Sequence, residues 1–264
     1  FFMNYINLFF IFIFTINISN AYSPYLGYWD LEDIAPEFKN STRYYGSDNF
    51  QGKDSENFMG KRIEMYHHPR IILHEKTLHA LKKANAEFQR EGYTIVIYYG
   101  YLPGYTIYSL ESELIKSTVS RQALYFPFLT KSEIFSQGYF PRQNCQHGYE
   151  SGVVVGLTII ENGKNILHPT QVARKFNNGA QITFLDDNTV DMGTHFDFFG
   201  IESHHFNLLG TGLNPFIAIE HQRNRTYLKS KMEQYGFQAN PKKWWEYTFI
   251  DSEVGLDKCL NFYI

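Results

Sequence analysis

Cysteine is almost missing from this chain: Cys145 and Cys259 are the two present among 264 residues. A disulfide framework is therefore excluded as the basis of the fold, although an oxidising compartment would permit one bridge between them. Their positions in the sequence do not place their Cα atoms at bridging distance. Excess positive charge is lacking as well. Lys and Arg number 24 against 27 Asp and Glu, giving a formal net charge of −3, and the basic residues form no long block. That balance argues against nucleic acid as a partner. No apolar stretch after residue 21 is long enough to cross a bilayer. Internal repeats and low-complexity linkers are absent too.

What is present begins with the apolar run Leu8-Phe-Phe-Ile-Phe-Ile-Phe14, which is too short to span a bilayer and leads to the small residues of Ile18-Ser-Asn-Ala21. The expectation is a secretory signal peptide over residues 1–21, with the rest of the chain exported to the periplasm or the extracellular space. The segment lacks the usual positive start, since no Lys or Arg precedes Lys39. A single lipid-anchoring helix is the alternative. Residues 22–264 have the length of one domain with a sizeable core, and no transmembrane segment is expected in them.

Residues 31–66 read as a loop-rich entry. Leu73, Leu78, Leu81, Ala84 and Phe88 recur at helical spacing and predict an amphipathic helix over Ile71–Arg90, stopped at Glu91-Gly92. Strands are predicted at Tyr93–Tyr99, at Val153–Ile160 before a turn at Glu161-Asn-Gly163, and at Trp244–Ile250. A second helix over residues 222–235 carries Leu228, Met232 and Tyr235 on one face, with Gly236 as its cap. Helices and strands without regular alternation predict an α+β domain on a small, mainly antiparallel sheet.

The most specific residues are Asp191-Met-Gly-Thr-His-Phe-Asp-Phe-Phe-Gly-Ile-Glu-Ser-His-His205 and Pro241-Lys-Lys-Trp-Trp-Glu-Tyr247. With Asn49-Phe-Gln-Gly52, Arg62-Ile63 and the segment Arg223–Phe237 in the same order, they resemble the D-alanyl-D-alanine dipeptidases, zinc enzymes of the vancomycin-resistance type. The resemblance runs over roughly residues 30–252 and implies that family's fold. It also implies a metal held by the His and Asp of Ser-x-His-x-x-Gly-x-Ala-x-Asp and by the His of Glu-x-x-His, whose Glu is the general base. Such a set leaves one zinc position open for a water whose pKa falls toward neutrality. An Arg in an Asp-Gly-Tyr-Arg-Pro loop is implied to stabilise charge on the substrate.

This chain departs from the pattern at each of those positions. Aligning Gly152–Ile159 on the first motif puts Gly156 at the aspartate ligand. Counting back without gaps puts Tyr149 at the histidine ligand, whereas a loop longer by two residues would put His147 there. Lys243 replaces the general base and Glu246 the second histidine. Tyr99 stands for the aspartate of the early loop and Leu102 for its arginine. An ammonium about 4 Å from a divalent cation would be repelled by about 8 kcal/mol at an effective dielectric of roughly 20. Lys243 and Glu246 are instead expected to pair where the metal would have been, provided that Lys243 belongs to the loop after Pro241.

Other residues carry two readings. Asp197 is either the anchor for the amine end of a dipeptide, as the resemblance implies, or a structural carboxylate. His204 and His205 are expected to be structural rather than metal ligands. His67, His68 and His74 read as solvated or capping, and His221 as a surface residue. Trp244 and Trp245 read as core; Tyr99, Tyr101 and Tyr105 could line a remodelled pocket. The leading expectation is an exported dipeptidase-like protein that is inactive or strongly impaired, needs no cofactor, and binds a D-Ala-D-Ala-type dipeptide or cell-wall peptide. The alternatives are an active zinc dipeptidase with rearranged ligands, among them His147 and Glu246, and a decaying gene product without selected function.

Overall fold

A computed structural model describes residues 27–31, 35–43, 71–102, 122–139, 149, 151–206 and 212–251. The expected signal peptide, His67, His68, Tyr105, Cys145, His147 and Cys259 lie outside them. Nine strands are described: β1 (Tyr28–Asp30), β2 (Lys39–Asn40), β3 (Ile72–His74), β4 (Tyr93–Tyr99), β5 (Val154–Glu161), β6 (Thr170–Lys175), β7 (Gln181–Asp186), β8 (Phe237–Ala239) and β9 (Glu246–Phe249). The helices are α1 (Glu75–Arg90), α2 (Gln122–Tyr125), α3 (Lys131–Ser136) and α4 (Ile219–Gln234). The central sheet has the order β2-β4-β5-β9-β8; all its pairs are antiparallel except β2 with β4. Two small ribbons, β1-β3 and β6-β7, complete an α+β domain.

The β-branched and aromatic run of β4 and the run Val154–Ile160 of β5 are buried along almost their whole length, so both faces of the sheet centre are covered. Helices α1 and α4 lie side by side, with Phe88 edge-on to Tyr227 at 5.7 Å and Lys231 paired to Glu87 and Glu91. Phe196, from the 190–206 segment, stacks on Tyr98 at 4.2 Å. Arg225 of α4 is buried and donates to the carbonyls of Met192, Glu202 and His204 and to the Thr194 hydroxyl, which ties that segment to the helix.

Helix α1, strand β9 and His221 differ from the sequence reading. Helix α1 starts at Glu75 rather than Ile71, because Ile72–His74 pair with β1 and the His74 side chain caps the helix by accepting from Lys76 N at 3.2 Å. Strand β9 starts at Glu246, since residues 240–245 turn tightly before it: Glu246 N donates to Lys243 O at 3.1 Å and Asn240 N to Glu246 O at 2.8 Å. Trp244 and Trp245 therefore precede the strand, but both are buried in the core as expected. His221 is not a surface residue: its side chain is mostly buried, 3.5 Å from Asp191.

Helix α3 opens on a reciprocal cap in which Thr130 Oγ1 accepts from Glu133 N while Glu133 accepts from Thr130 N at 2.7 Å. The segment after it holds Gln137, whose carbonyl accepts from Lys242, and Tyr139, whose hydroxyl meets His204. Thr130→Ala should cost about 1 kcal/mol in urea unfolding; a cost below the error of the measurement would show that the cap does not stabilise this helix.

Candidate functional site

The register of three adjacent strands builds the site. Tyr99 of β4 lies opposite Gly156 of β5, and Gly156 lies opposite Glu246 of β9. Directly opposed residues share a face of a sheet, so Tyr99 and Glu246 stand two strands apart, roughly 10 Å between backbones, with a glycine between them. The Tyr99 ring lies across the space that this glycine leaves. A Cβ at residue 156 would sit 2.2 Å from the ring, far inside any real contact. The phenol thereby reaches Glu246, donating to its Oε2 at 2.6 Å.

Glu246 collects donors from every side. Its Oε2 also accepts from the Tyr149 hydroxyl and from Lys243 Nζ, and its Oε1 from Asn240 Nδ2 at 2.6 Å. Lys243 Nζ also donates to the Tyr149 hydroxyl at 2.9 Å. The expected pairing of Lys243 with Glu246 is present, and both side chains are buried. It is possible because Lys243 lies in the turn before β9, not on the strand, where residues three apart would face opposite sides.

The electrostatics follow from burial and this set of donors. Burial pushes the Glu246 carboxyl up. The Lys243 charge and the hydrogen bonds from Lys243, Tyr149 and Tyr99 outweigh it and hold the group below its usual value, so Glu246 is a carboxylate. Burial, then the Glu246 charge and the hydrogen bond given to it, push the Tyr149 phenol well above the ordinary tyrosine value. Tyr149 is a neutral donor here and not a phenolate. The Asp197 carboxylate also raises Tyr149, though less than burial and Glu246 do. Asp197 is buried and adopts a left-handed backbone, φ 61°, at the turn after Phe196.

These residues do not fit a divalent metal. Among the described residues no three of His, Cys, Asp and Glu come together to hold one. Gly156 has no donor atom and its space holds a ring. An ionised carboxylate has about four acceptor positions, and Glu246 already accepts four side-chain hydrogen bonds, one of them from an ammonium.

Leu102 is packed in the core, its amide donating to Tyr149 O at 3.1 Å, so residue 102 contributes no cation. His204 meets Tyr139 with Nε2 at 2.9 Å, and His205 is buried beside Tyr247 with its amide on Pro241 O. Burial is the first cause that depresses them, to about 4 and about 3, followed for His204 by Lys242 and for His205 by Arg225. Both are structural. Of the sequence candidates, Gly156, Lys243 and Glu246 are thus brought together, Asp197 acts on Tyr149 through its charge, and His147 lies outside the described residues. Asn240 was not singled out by sequence, which marks it only as a turn residue before Pro241. Tyr99 and Tyr149 stand at substituted motif positions read from the sequence, but their shared hydrogen bonding to Glu246 is visible only in the structure.

A sequence profile of the family described as D-ala-D-ala dipeptidase matches residues 151–263. The D-alanyl-D-alanine dipeptidase of Enterococcus faecium is 26% identical over 233 residues, which cover 86% of this chain and 93% of that protein. The D-alanyl-D-alanine dipeptidase of Enterococcus faecalis (strain ATCC 700802 / V583) is also 26% identical, over 243 residues that cover 89% of this chain and 97% of the relative.

Proposed function

We propose that this chain, which is similar to D-alanyl-D-alanine dipeptidases, is a divergent member of that family and binds a D-Ala-D-Ala-type dipeptide or cell-wall peptide without hydrolysing it at a family-like rate. The carrying observation is the Glu246 carboxylate, filled by Lys243, Tyr149, Tyr99 and Asn240 where the resemblance requires a metal ligand. No residue of the cluster is free to take a proton from water beside a metal, because Lys243 replaces the base and is itself a donor. Binding is supported by Asp197, which stands where the resemblance implies an anchor for the amine end of a dipeptide and acts electrostatically on Tyr149. Export is part of the proposal and rests on the apolar run Leu8–Phe14 and the small residues before Tyr22. Cell fractionation that finds the protein only in the cytoplasm would remove it.

The test pairs two measurements on purified protein. Release of D-alanine from D-Ala-D-Ala is followed with added zinc and with a chelator, and calorimetry follows binding of the dipeptide and of a stem peptide ending in D-Ala-D-Ala. We expect no chelator-sensitive hydrolysis, and we expect binding that Asp197→Asn weakens by about tenfold or more through loss of a charge-assisted hydrogen bond. Zinc-dependent turnover would make the protein an active dipeptidase with rearranged ligands. Neither turnover nor binding would leave a chain without a selected peptide ligand.

A further inference from the structure

We infer that Lys243 is the resident cation of this chain: its ammonium, held covalently in the fold, neutralises the buried Glu246 carboxylate at the place where the resemblance implies a bound metal. The inference deepens the proposed function, because it concerns the same cluster, but it depends on stability and not on turnover.

Three observations carry it. First, Glu246 is buried and ionised among uncharged donors, Tyr99, Tyr149 and Asn240, so among the described residues Lys243 is the one formal positive charge paired with it. A carboxylate taken out of water needs such a partner. Second, the placement is built in and not incidental. The turn bonds Glu246 N to Lys243 O and Asn240 N to Glu246 O, and Tyr149 accepts from the ammonium while donating to the carboxylate. Third, the space around the pair is closed by a ring fitted to a glycine, Tyr99 over Gly156. Since the ammonium is tethered three residues away, its local concentration at Glu246 far exceeds that of any free ion. A metal and Lys243 therefore exclude each other.

A double-mutant cycle on the full-length chain tests this through urea unfolding in the presence of a chelator. Lys243→Met keeps the length of the side chain and removes the charge; Glu246→Gln removes the opposite charge. Each single variant should lower the folding equilibrium constant by about 100-fold or more, since each leaves one buried charge unpaired. The double variant should lie within about tenfold of the wild type. Additive losses, or a Lys243→Met variant as stable as the wild type, would overturn the inference. If Lys243→Met does not fold, a folded double variant supports the inference and an unfolded one overturns it.

A second arm asks whether the role is that of a cation. Lys243→Ala removes the equivalent of propylammonium, so propylammonium chloride should raise its thermal midpoint, whereas propanol or sodium chloride at equal concentration should not. A rise with all three or with none would count against the role. Dipeptidase activity in the wild-type protein would defeat the proposed function and leave the cycle intact; an additive cycle would defeat this inference and leave the assay intact.

Discussion

Gly156→Asp, made alone, should destabilise the protein by more than about 4 kcal/mol or prevent cooperative folding. The substitution would restore the side chain that the dipeptidase motif calls for, yet it fails on two counts. Its Cβ meets the Tyr99 ring at 2.2 Å, and overpacking of this kind costs typically about 1–3 kcal/mol. Its carboxylate would lie opposite Glu246, a like charge in a buried site, where an unpaired ion costs several kcal/mol more. Gly156→Ala isolates the steric part and should cost about 1–3 kcal/mol in urea unfolding. In a Tyr99→Ala background the same change should be close to neutral. An equal cost in both backgrounds would mean that the ring is not what excludes a side chain there. Reconstruction of the motif residues that the resemblance implies must therefore change Tyr99 together with Gly156, Lys243, Glu246 and Leu102.

Acid should unfold this protein earlier than its carboxylates alone would dictate. His195, His204 and His205 are held neutral in the fold, at about 3, about 4 and about 3, first by burial and then by neighbouring cations. Above pH 6.5 neither the folded nor the unfolded chain protonates them, and their contribution to stability is complete. Below it the unfolded chain takes up protons that the fold refuses, so stability falls with pH from 6.5 down to the folded values. With three such groups the slope reaches about 4 kcal/mol per pH unit. Glu246, held below its usual value against burial by Lys243 and its hydrogen bonds, adds a loss of the same sign below pH 4.5. Glu202 opposes it, because burial raises its carboxyl and favours the protonated fold, but His74 and Asp191, both lowered, add to the loss. Urea unfolding between pH 4 and 7 should show the midpoint dropping steeply below pH 6, with no matching drop from pH 7 to 8. A midpoint flat from pH 7 to 5 would mean that these histidines are hydrated or paired in the fold. His205→Phe should remove part of the slope.

Periodicity was enough for the elements whose own residues decide them. The run Tyr93–Tyr99 is a strand over those residues, and Leu78, Leu81, Ala84 and Phe88 mark the buried stripe of α1. Strands of two or three residues, such as β2 and β3, carry no period to read, so Leu73 was absorbed into the helix that follows it. The ribbon β6-β7 was missed because most of β6 is exposed and lacks a clear apolar alternation. At the site, resemblance located the positions that had changed, but not how the replacements fit together. That needed the register: Tyr99, Gly156 and Glu246 become neighbours through strand pairings between residues 57 and 90 positions apart in sequence. The Lys243–Glu246 pair was legible because it turns on one local question, whether the strand begins before or after Lys243.

The fit of Tyr99 to Gly156 also gives the site a history with a direction. While residue 156 bore a side chain, an aromatic ring could not have occupied its present place. If this chain descends from one with a side chain at 156, that side chain was lost before the ring settled, or with it. Once the ring had settled, a single step back at 156 became the most damaging change open to the site. A site in this position is caught behind a ratchet: each later substitution that improves the packing around the ring raises the barrier to placing any side chain at 156.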